Sequence, residues 1–122
     1  MDFKVETWEP AHVERSVTID ELDDVYRTTS GGVSPTFTWN DLGDRVLIVA
    51  VGDDYSVVSM LNDDTWYYLQ GSDMDGEAEV AMAGQPAHVP KGAILRRETG
   101  LEVLRKAGDF TDLLKSYPWM EQ

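Results

Sequence analysis

Closely spaced pairs of carboxylates are the most reactive feature of this sequence. Asp53-Asp54, Asp63-Asp64 and Asp73-Met74-Asp75 recur about every ten residues, each between stretches rich in apolar and aromatic residues. Neighbouring carboxylates can bind a divalent cation, divide the acid and base roles of a hydrolase, or attract a cationic partner. The residues around each pair indicate which of these three kinds of chemistry to expect.

Calcium binding is poorly supported by the sequence. An EF-hand loop needs carboxylate ligands, a glycine and a terminal Glu at fixed positions between two helices. Asp73-Met74-Asp75-Gly76-Glu77 keeps only fragments of that pattern and is predicted to lie between strands. The chain also has no cysteine, which excludes disulfides, thiolate catalysis and cysteine metal ligands. We therefore predict no metal site and no cofactor.

Catalysis by paired carboxylates is also disfavoured. A hydrolytic pair needs a cleft that removes water and raises the pKa of one carboxyl group. Each pair in this chain instead falls on a predicted hairpin tip or an exposed strand edge. His12 and His88 are the only histidines, and neither has a serine or cysteine nucleophile motif nearby. The sequence therefore predicts a protein that is not an enzyme.

The distribution of charge favours a cationic protein partner. No Lys or Arg occurs from Val46 to Pro90, and residues 1 to 90 hold 18 acidic against 4 basic side chains. Asp is a common turn residue, which explains single pairs but not the complete lack of basic residues across this stretch. Such a surface repels nucleic acid and anionic lipid and attracts basic proteins. We expect no direct contact with nucleic acid or with a membrane.

Three consecutive aromatic residues, Trp66, Tyr67 and Tyr68, place rings on both faces of a predicted strand. We expect Tyr67 in the core and the other two rings at the partner interface, where Trp and Tyr are common anchors. Trp8, Trp39 and Trp119 are expected to be packing residues. The predicted partner-binding residues are Asp53, Asp54, Asp73, Asp75, Glu77, Trp66 and Tyr68.

Hydrophobic periodicity predicts the elements of the first half of the chain. Thr18 and Glu21 have the spacing of a capping box, which predicts a helix from about Ile19 to Thr28. Strands are predicted at Phe3 to Trp8, His12 to Val17, Thr36 to Asn40, Arg45 to Gly52, Tyr55 to Leu61 and Thr65 to Gly71. The short central loops allow only antiparallel neighbours. The tips at Asp53-Asp54 and Asp73-Asp75 should share one end of the sheet, with Asp41 and Asp63 at the other.

The C-terminal part adds predicted helices. Glu77 to Ala83 is expected to be an outer strand, and His88 to Leu95 is ambiguous. A helix is predicted from Arg97 to Ala107 with Gly108 as its C-cap, and Gly100 within it indicates either close packing or a wrong boundary. A final helical turn should present the apolar residues Phe110, Leu113, Leu114 and Tyr117.

The predicted class is α+β, with a mostly antiparallel meander sheet of about five to six strands and two to three helices packed on it. Residues 1 to 122 are expected to form a single domain. The first residues lack the basic start and apolar block of a signal peptide, and no apolar stretch is long enough to span a membrane. We therefore expect a cytoplasmic protein.

The order of elements resembles the first-described immunity family of bacterial polymorphic toxin systems, which includes inhibitors of nucleic-acid deaminase toxins. The features that carry the resemblance are Thr18 to Val25, the run from Val46 to Gly52 before Asp53-Asp54, Trp66-Tyr67-Tyr68 with Gly71-Ser72, Pro90, the helix from Arg97 to Leu104, Gly108 and Trp119. One difference is the longer segment from Phe110 to Ser116 before Pro118. The resemblance implies an immunity protein that binds and blocks a cognate toxin in interbacterial competition.

A small acidic chaperone for a secreted effector is the alternative prediction, because proteins of that class are also compact and acidic. Effector chaperones usually dimerise and hold a partly unfolded segment of their client. The immunity hypothesis instead expects a monomer when the protein is free. Sedimentation of the purified chain distinguishes the two predictions.

Overall fold

A seven-stranded antiparallel sheet dominates the computed structural model, which describes residues 2–40 and 44–122. The strands are β1 Asp2–Thr7, β2 Val13–Thr18, β3 Thr36–Asn40, β4 Arg45–Val51, β5 Ser56–Asn62, β6 Thr65–Leu69, β7 Glu77–Met82, β8 Gln85–Pro90 and β9 Trp119–Glu121. The helices are α1 Ile19–Thr28, α2 Arg97–Arg105 and α3 Phe110–Ser116. The main sheet has the order β2-β1-β3-β4-β5-β6-β9, and β7 and β8 pair separately.

The predicted class, α+β with a mostly antiparallel sheet, is confirmed. The main sheet has more strands than expected because β9, only three residues long, adds to the edge beside β6. The predicted outer strand, β7, instead forms a hairpin with β8. Ala83 and Gly84 form its two-residue turn, both with positive φ (52° and 76°), the geometry that a tight hairpin turn requires.

The core lies between the sheet and the helices. Alternate residues of the central strands, such as Leu47 and Val49 on β4, point toward α1 and α2 and are fully buried. Tyr67 packs against this cluster from β6, as predicted. Trp39 lies in the cluster and Trp119 packs against it, which places both tryptophans as packing residues. We call this side of the sheet the helix-bearing face.

The opposite side of the sheet is covered only in part. Ala50 and Val57 point to this side and are almost completely buried, at 2% and 0% exposure. The β7–β8 hairpin is held at this end, where the Tyr55 hydroxyl donates to the Ala81 carbonyl at 2.7 Å and the Gly84 N–H donates to the Ser34 hydroxyl oxygen at 2.8 Å. We call the end of the sheet where β4 turns into β5 the upper end, and the end where β5 turns into β6 the lower end. The side of the sheet opposite the helices, where the hairpin leaves it uncovered, is the helix-free face.

The first helix begins and ends as predicted. The Glu21 carboxylate accepts a hydrogen bond from the backbone N–H of Thr18 at 3.1 Å, which lowers the pKa of Glu21. The stability gained from this bond is present above the ordinary pKa of Glu and is lost as the pH falls through the lowered value.

No helix in the described ranges has the length and apolar character needed to cross a bilayer.

Two predicted details of the C-terminal helices are wrong. Helix α2 ends at Arg105 with Lys106 as its C-cap, short of Ala107 and Gly108. The α-helix ends early because the backbone after Arg105 forms the tighter hydrogen bonds of a 3₁₀ turn, from the N–H of one residue to the carbonyl three residues before it. The Ala107 N–H, for example, donates to the Leu104 carbonyl at 3.1 Å. Leu114 does not face the core but is 40% exposed on α3, because Phe110 and Leu113 already fill the buried side of this short helix.

Candidate partner-binding surface

The structure separates the predicted partner-binding residues into two groups. Trp66 pairs with Leu61 and Tyr68 pairs with Ser59, so both rings lie on the helix-free face. The five predicted acidic residues, Asp53, Asp54, Asp73, Asp75 and Glu77, are exposed and follow the upper ends of the strands or begin the β7–β8 hairpin. The rings and these carboxylates therefore do not form one compact cluster.

The upper-end carboxylates share one end of the sheet, as predicted, but two of them support loops. An Asp53 oxygen accepts the N–H of Gly31 at 2.8 Å. Gly31 lies so close to this turn that an added Cβ would stand 2.2 Å from the Asp53 nitrogen. An Asp73 oxygen likewise accepts the N–H of Asp75 at 3.1 Å, which closes an Asx turn. Asp63 lies at the lower end, as predicted, and Asp41 lies outside the described residues.

Replacing Asp53 with alanine is expected to lower the free energy of unfolding by about 1 kcal/mol, because the Gly31 N–H loses its charged acceptor. Asp54→Ala is the matched control, since it removes the same charge from the adjacent position and changes stability by less than about 0.5 kcal/mol. Urea denaturation of both variants measures the difference. Equal midpoints for the two variants would show that the Asp53 bond adds nothing.

A continuous strip of apolar and aromatic side chains crosses the helix-free face. One row runs Ile48, Ser59, Tyr68 and Met120 across four paired strands, and the next row runs Val46, Leu61 and Trp66. We call the strip formed by Val46, Ile48, Leu61, Trp66, Tyr68 and Met120 the aromatic strip. Trp66 is 37% exposed and Met120 is 41% exposed, so the strip presents large apolar side chains to solvent.

Sequence reasoning identified the pair Asp63-Asp64 but did not include it among the partner-binding residues, although these carboxylates flank the aromatic strip. Asp63 and Asp64 form the two-residue turn between β5 and β6, and Asp64 precedes Trp66 by only two residues. Asp44 lies at the same lower end, next to β4. All three are exposed. The signal that could have found them is the Asn62 to Thr65 pairing, because so short a turn places its carboxylates beside the first ring of the next strand.

The other half of the helix-free face, on β1 and β2, is polar. Lys4 lies 3.6 Å from carboxylate oxygens of both Glu6 and Glu14. His12 lies 2.7 Å from the second oxygen of Glu6 and stacks on Trp8, with ring centroids 4.3 Å apart. Lys4 is therefore already paired with carboxylates on this half of the face, and it does not offset the negative charge at the lower end.

The groups with shifted pKa values belong to supporting interactions. Arg105 donates two hydrogen bonds to Asp23, at 2.9 and 2.5 Å, which lowers the pKa of that carboxyl group. Burial raises the pKa of the Tyr26 and Tyr55 hydroxyls. Within residues 2–40 and 44–122, no three His, Asp or Glu side chains are placed to hold a metal ion.

Among the described residues, two exposed surfaces offer groups for binding a partner: the carboxylates at the upper end, and the aromatic strip with its adjoining carboxylates at the lower end. Comparison with known proteins assigns neither. No protein-family model and no curated protein sequence matches the chain. The upper end offers carboxylates, and the lower end offers carboxylates beside exposed aromatic and apolar side chains.

Proposed function

We propose that this protein is a cytoplasmic immunity protein that binds a cognate protein toxin with a basic surface and blocks it. The observation that carries the proposal is the unneutralised negative charge of the central strands and their turns. In the part of the chain that the structure describes, the ion pairs of Lys and Arg within 4.0 Å involve the carboxylates of Glu6, Glu14, Asp23 and Glu98. None of these lies between Val46 and Pro90.

The fold leaves that charge exposed. The eight carboxylates between Val46 and Pro90 lie in turns and at exposed strand positions: Asp53, Asp54, Asp63, Asp64, Asp73, Asp75, Glu77 and Glu79. Of these, Glu79 has a neighbouring histidine, His88, at 3.5 Å. The protein therefore keeps a large negative potential at its surface, and this potential attracts cationic partners and speeds their association.

Blocking a toxin requires occupancy and no chemistry. A toxin that acts on nucleic acid must carry a basic groove for the phosphates, and a complementary acidic surface fills the same groove and excludes the substrate. Opposite charges raise the rate of association, and a few buried rings supply most of the affinity. The resemblance to the immunity family supports this mechanism, because that family includes inhibitors of nucleic-acid deaminase toxins.

Growth protection tests the proposal. The probe is the C-terminal domain encoded by the gene directly upstream, expressed from an inducible promoter in a bacterial host that lacks both genes. Co-expression of this protein is expected to restore colony counts to those of cells without the toxin domain. An upstream product that is harmless, or one that kills equally well when this protein is present at matched levels, would contradict the proposal.

A further inference from the structure

We infer that the partner docks on the aromatic strip, and that the docking element is an arginine-bearing protein surface whose guanidinium groups engage Trp66 and the carboxylates of Asp63 and Asp64. The identity of this partner as a toxin rests on the proposed function. The location of the docking surface does not, because it follows from the exposure, register and charge of the lower end.

The aromatic strip is exposed to solvent. The large apolar side chains that are exposed in the described residues are Val13, Trp66, Leu114 and Met120. Trp66 and Met120 both lie on the aromatic strip and flank half-buried Tyr68, since Tyr68 pairs with Met120 and follows Trp66 by two residues. A tryptophan and a tyrosine on one face are typical of the anchors that dominate binding energy at protein interfaces.

No described part of the chain covers the aromatic strip. The β7–β8 hairpin covers the upper end of this side, over Ala50 and Val57. The helices pack on the other side of the sheet. An apolar surface that spans four strands and is left open by the described elements indicates a site for another molecule.

The negative charge beside the aromatic strip favours a cationic partner. Asp44, Asp63 and Asp64 are exposed at the lower end. Arg45 is also at this end, but its side chain lies on the helix-bearing face. Its guanidinium carbon is 5.2 Å from the centroid of the ring of Phe110, a core residue. An incoming arginine can stack on an indole and pair with a carboxylate at the same time, which neither an apolar nor an acidic side chain can do.

A second copy of this chain fits the surface poorly. Each copy carries a net charge of −13, so two copies would bring like charges together across the interface. The upper end is also a weaker candidate, because Asp53 and Asp73 already accept backbone hydrogen bonds. The lower end instead joins large exposed apolar side chains to carboxylates without ion pairs in the described ranges.

The test compares matched exposed apolar residues on the two sides of the sheet. The double variant Trp66→Ala/Met120→Ala truncates the strip, and Leu114→Ala truncates a residue of similar exposure, 40%, on α3. Affinity is measured by calorimetry with a catalytically inactive form of the upstream toxin domain. We expect the double variant to bind at least about 100-fold more weakly and Leu114→Ala to lose less than about 3-fold. Urea denaturation confirms that each variant is folded. If the double variant does not fold, the binding measurement is made with Met120→Ala alone.

Charge-reversal variants distinguish the lower end of the sheet from the upper end. Asp63→Lys/Asp64→Lys is expected to slow association at low salt by about tenfold or more, and Asp54→Lys/Asp75→Lys, which changes the net charge equally at the upper end, is expected to slow it by less. If the wild-type protein binds the toxin domain but the strip variants bind equally well, the docking surface is wrong and the proposed function stands. If the wild-type protein does not bind, the proposed function fails. A stable dimer of the free protein that Trp66→Ala/Met120→Ala dissociates would show that a second copy is the occupant.

Discussion

Replacing Arg97 with methionine is expected to lower the free energy of unfolding by about 3 kcal/mol. The Arg97 guanidinium donates to three backbone carbonyls, those of Gly52 at 2.7 Å, Tyr26 at 2.8 Å and Thr29 at 2.6 Å. These bonds join the end of α1 to the turn after β4. Methionine keeps most of the length of the side chain but leaves the carbonyls without this donor. Urea denaturation followed by circular dichroism measures the loss.

Arg96→Met is the matched control, because Arg96 is adjacent, exposed and carries the same charge. Its variant is expected to change stability by less than about 0.5 kcal/mol. Arg97→Lys should fall between the two, since an ammonium group cannot reproduce the planar fork that reaches several carbonyls. Similar losses for the methionine variants at the two positions would contradict a bridging role for Arg97.

Replacing Gly100 with alanine is expected to lower the free energy of unfolding by about 2 kcal/mol. At an exposed helical site the same change would stabilise the helix by about 1 kcal/mol. Gly100 is instead buried on α2, where an added Cβ would stand 2.5 Å from the Tyr26 hydroxyl oxygen, 2.7 Å from a Val49 methyl and 3.0 Å from the Ser56 Cβ. The helix must therefore move away from the sheet, and thermal and urea unfolding both measure the cost.

A double-mutant cycle with Tyr26→Phe tests the cause of that cost. The Tyr26 hydroxyl donates to the Arg97 carbonyl at 2.6 Å, so Tyr26→Phe alone should cost about 1 kcal/mol. Combined with Gly100→Ala, the loss is expected to be less than the sum, because the nearest obstructing atom is gone. Glu102→Ala, an exposed change on the same helix, is the control for helix propensity. A stabilising effect of Gly100→Ala would mean that α2 does not approach the sheet this closely.

Local signals in the sequence predicted much of the fold because they agree with the tertiary packing. The capping residues Thr18 and Glu21 marked the start of α1, and the short loops between the central strands predicted antiparallel neighbours. The insertion of β1 between β2 and β3 has no local signal, since it depends on pairings between residues far apart in the chain. Strand β9 was missed because three residues are too few to show a period.

The candidate site was predictable in its parts but not in its arrangement. Strand alternation correctly separates Trp66 and Tyr68 from Tyr67, since it follows from backbone geometry alone. Which carboxylates lie beside these rings depends on which turn joins which strands. The hydrogen bond from Gly31 to Asp53 spans 22 positions of sequence, so the structural role of that carboxylate has no local signature.

Binding of a basic toxin through complementary charge makes the association rate depend on salt, so we would measure the rate between this protein and the upstream toxin domain at two salt concentrations. Stopped-flow tryptophan fluorescence follows binding of the purified proteins. We expect rapid association that slows by about tenfold or more when the salt is raised from low to physiological ionic strength, because screening shortens the range of the attraction. A lack of binding, or an association rate that does not change with salt, would contradict it.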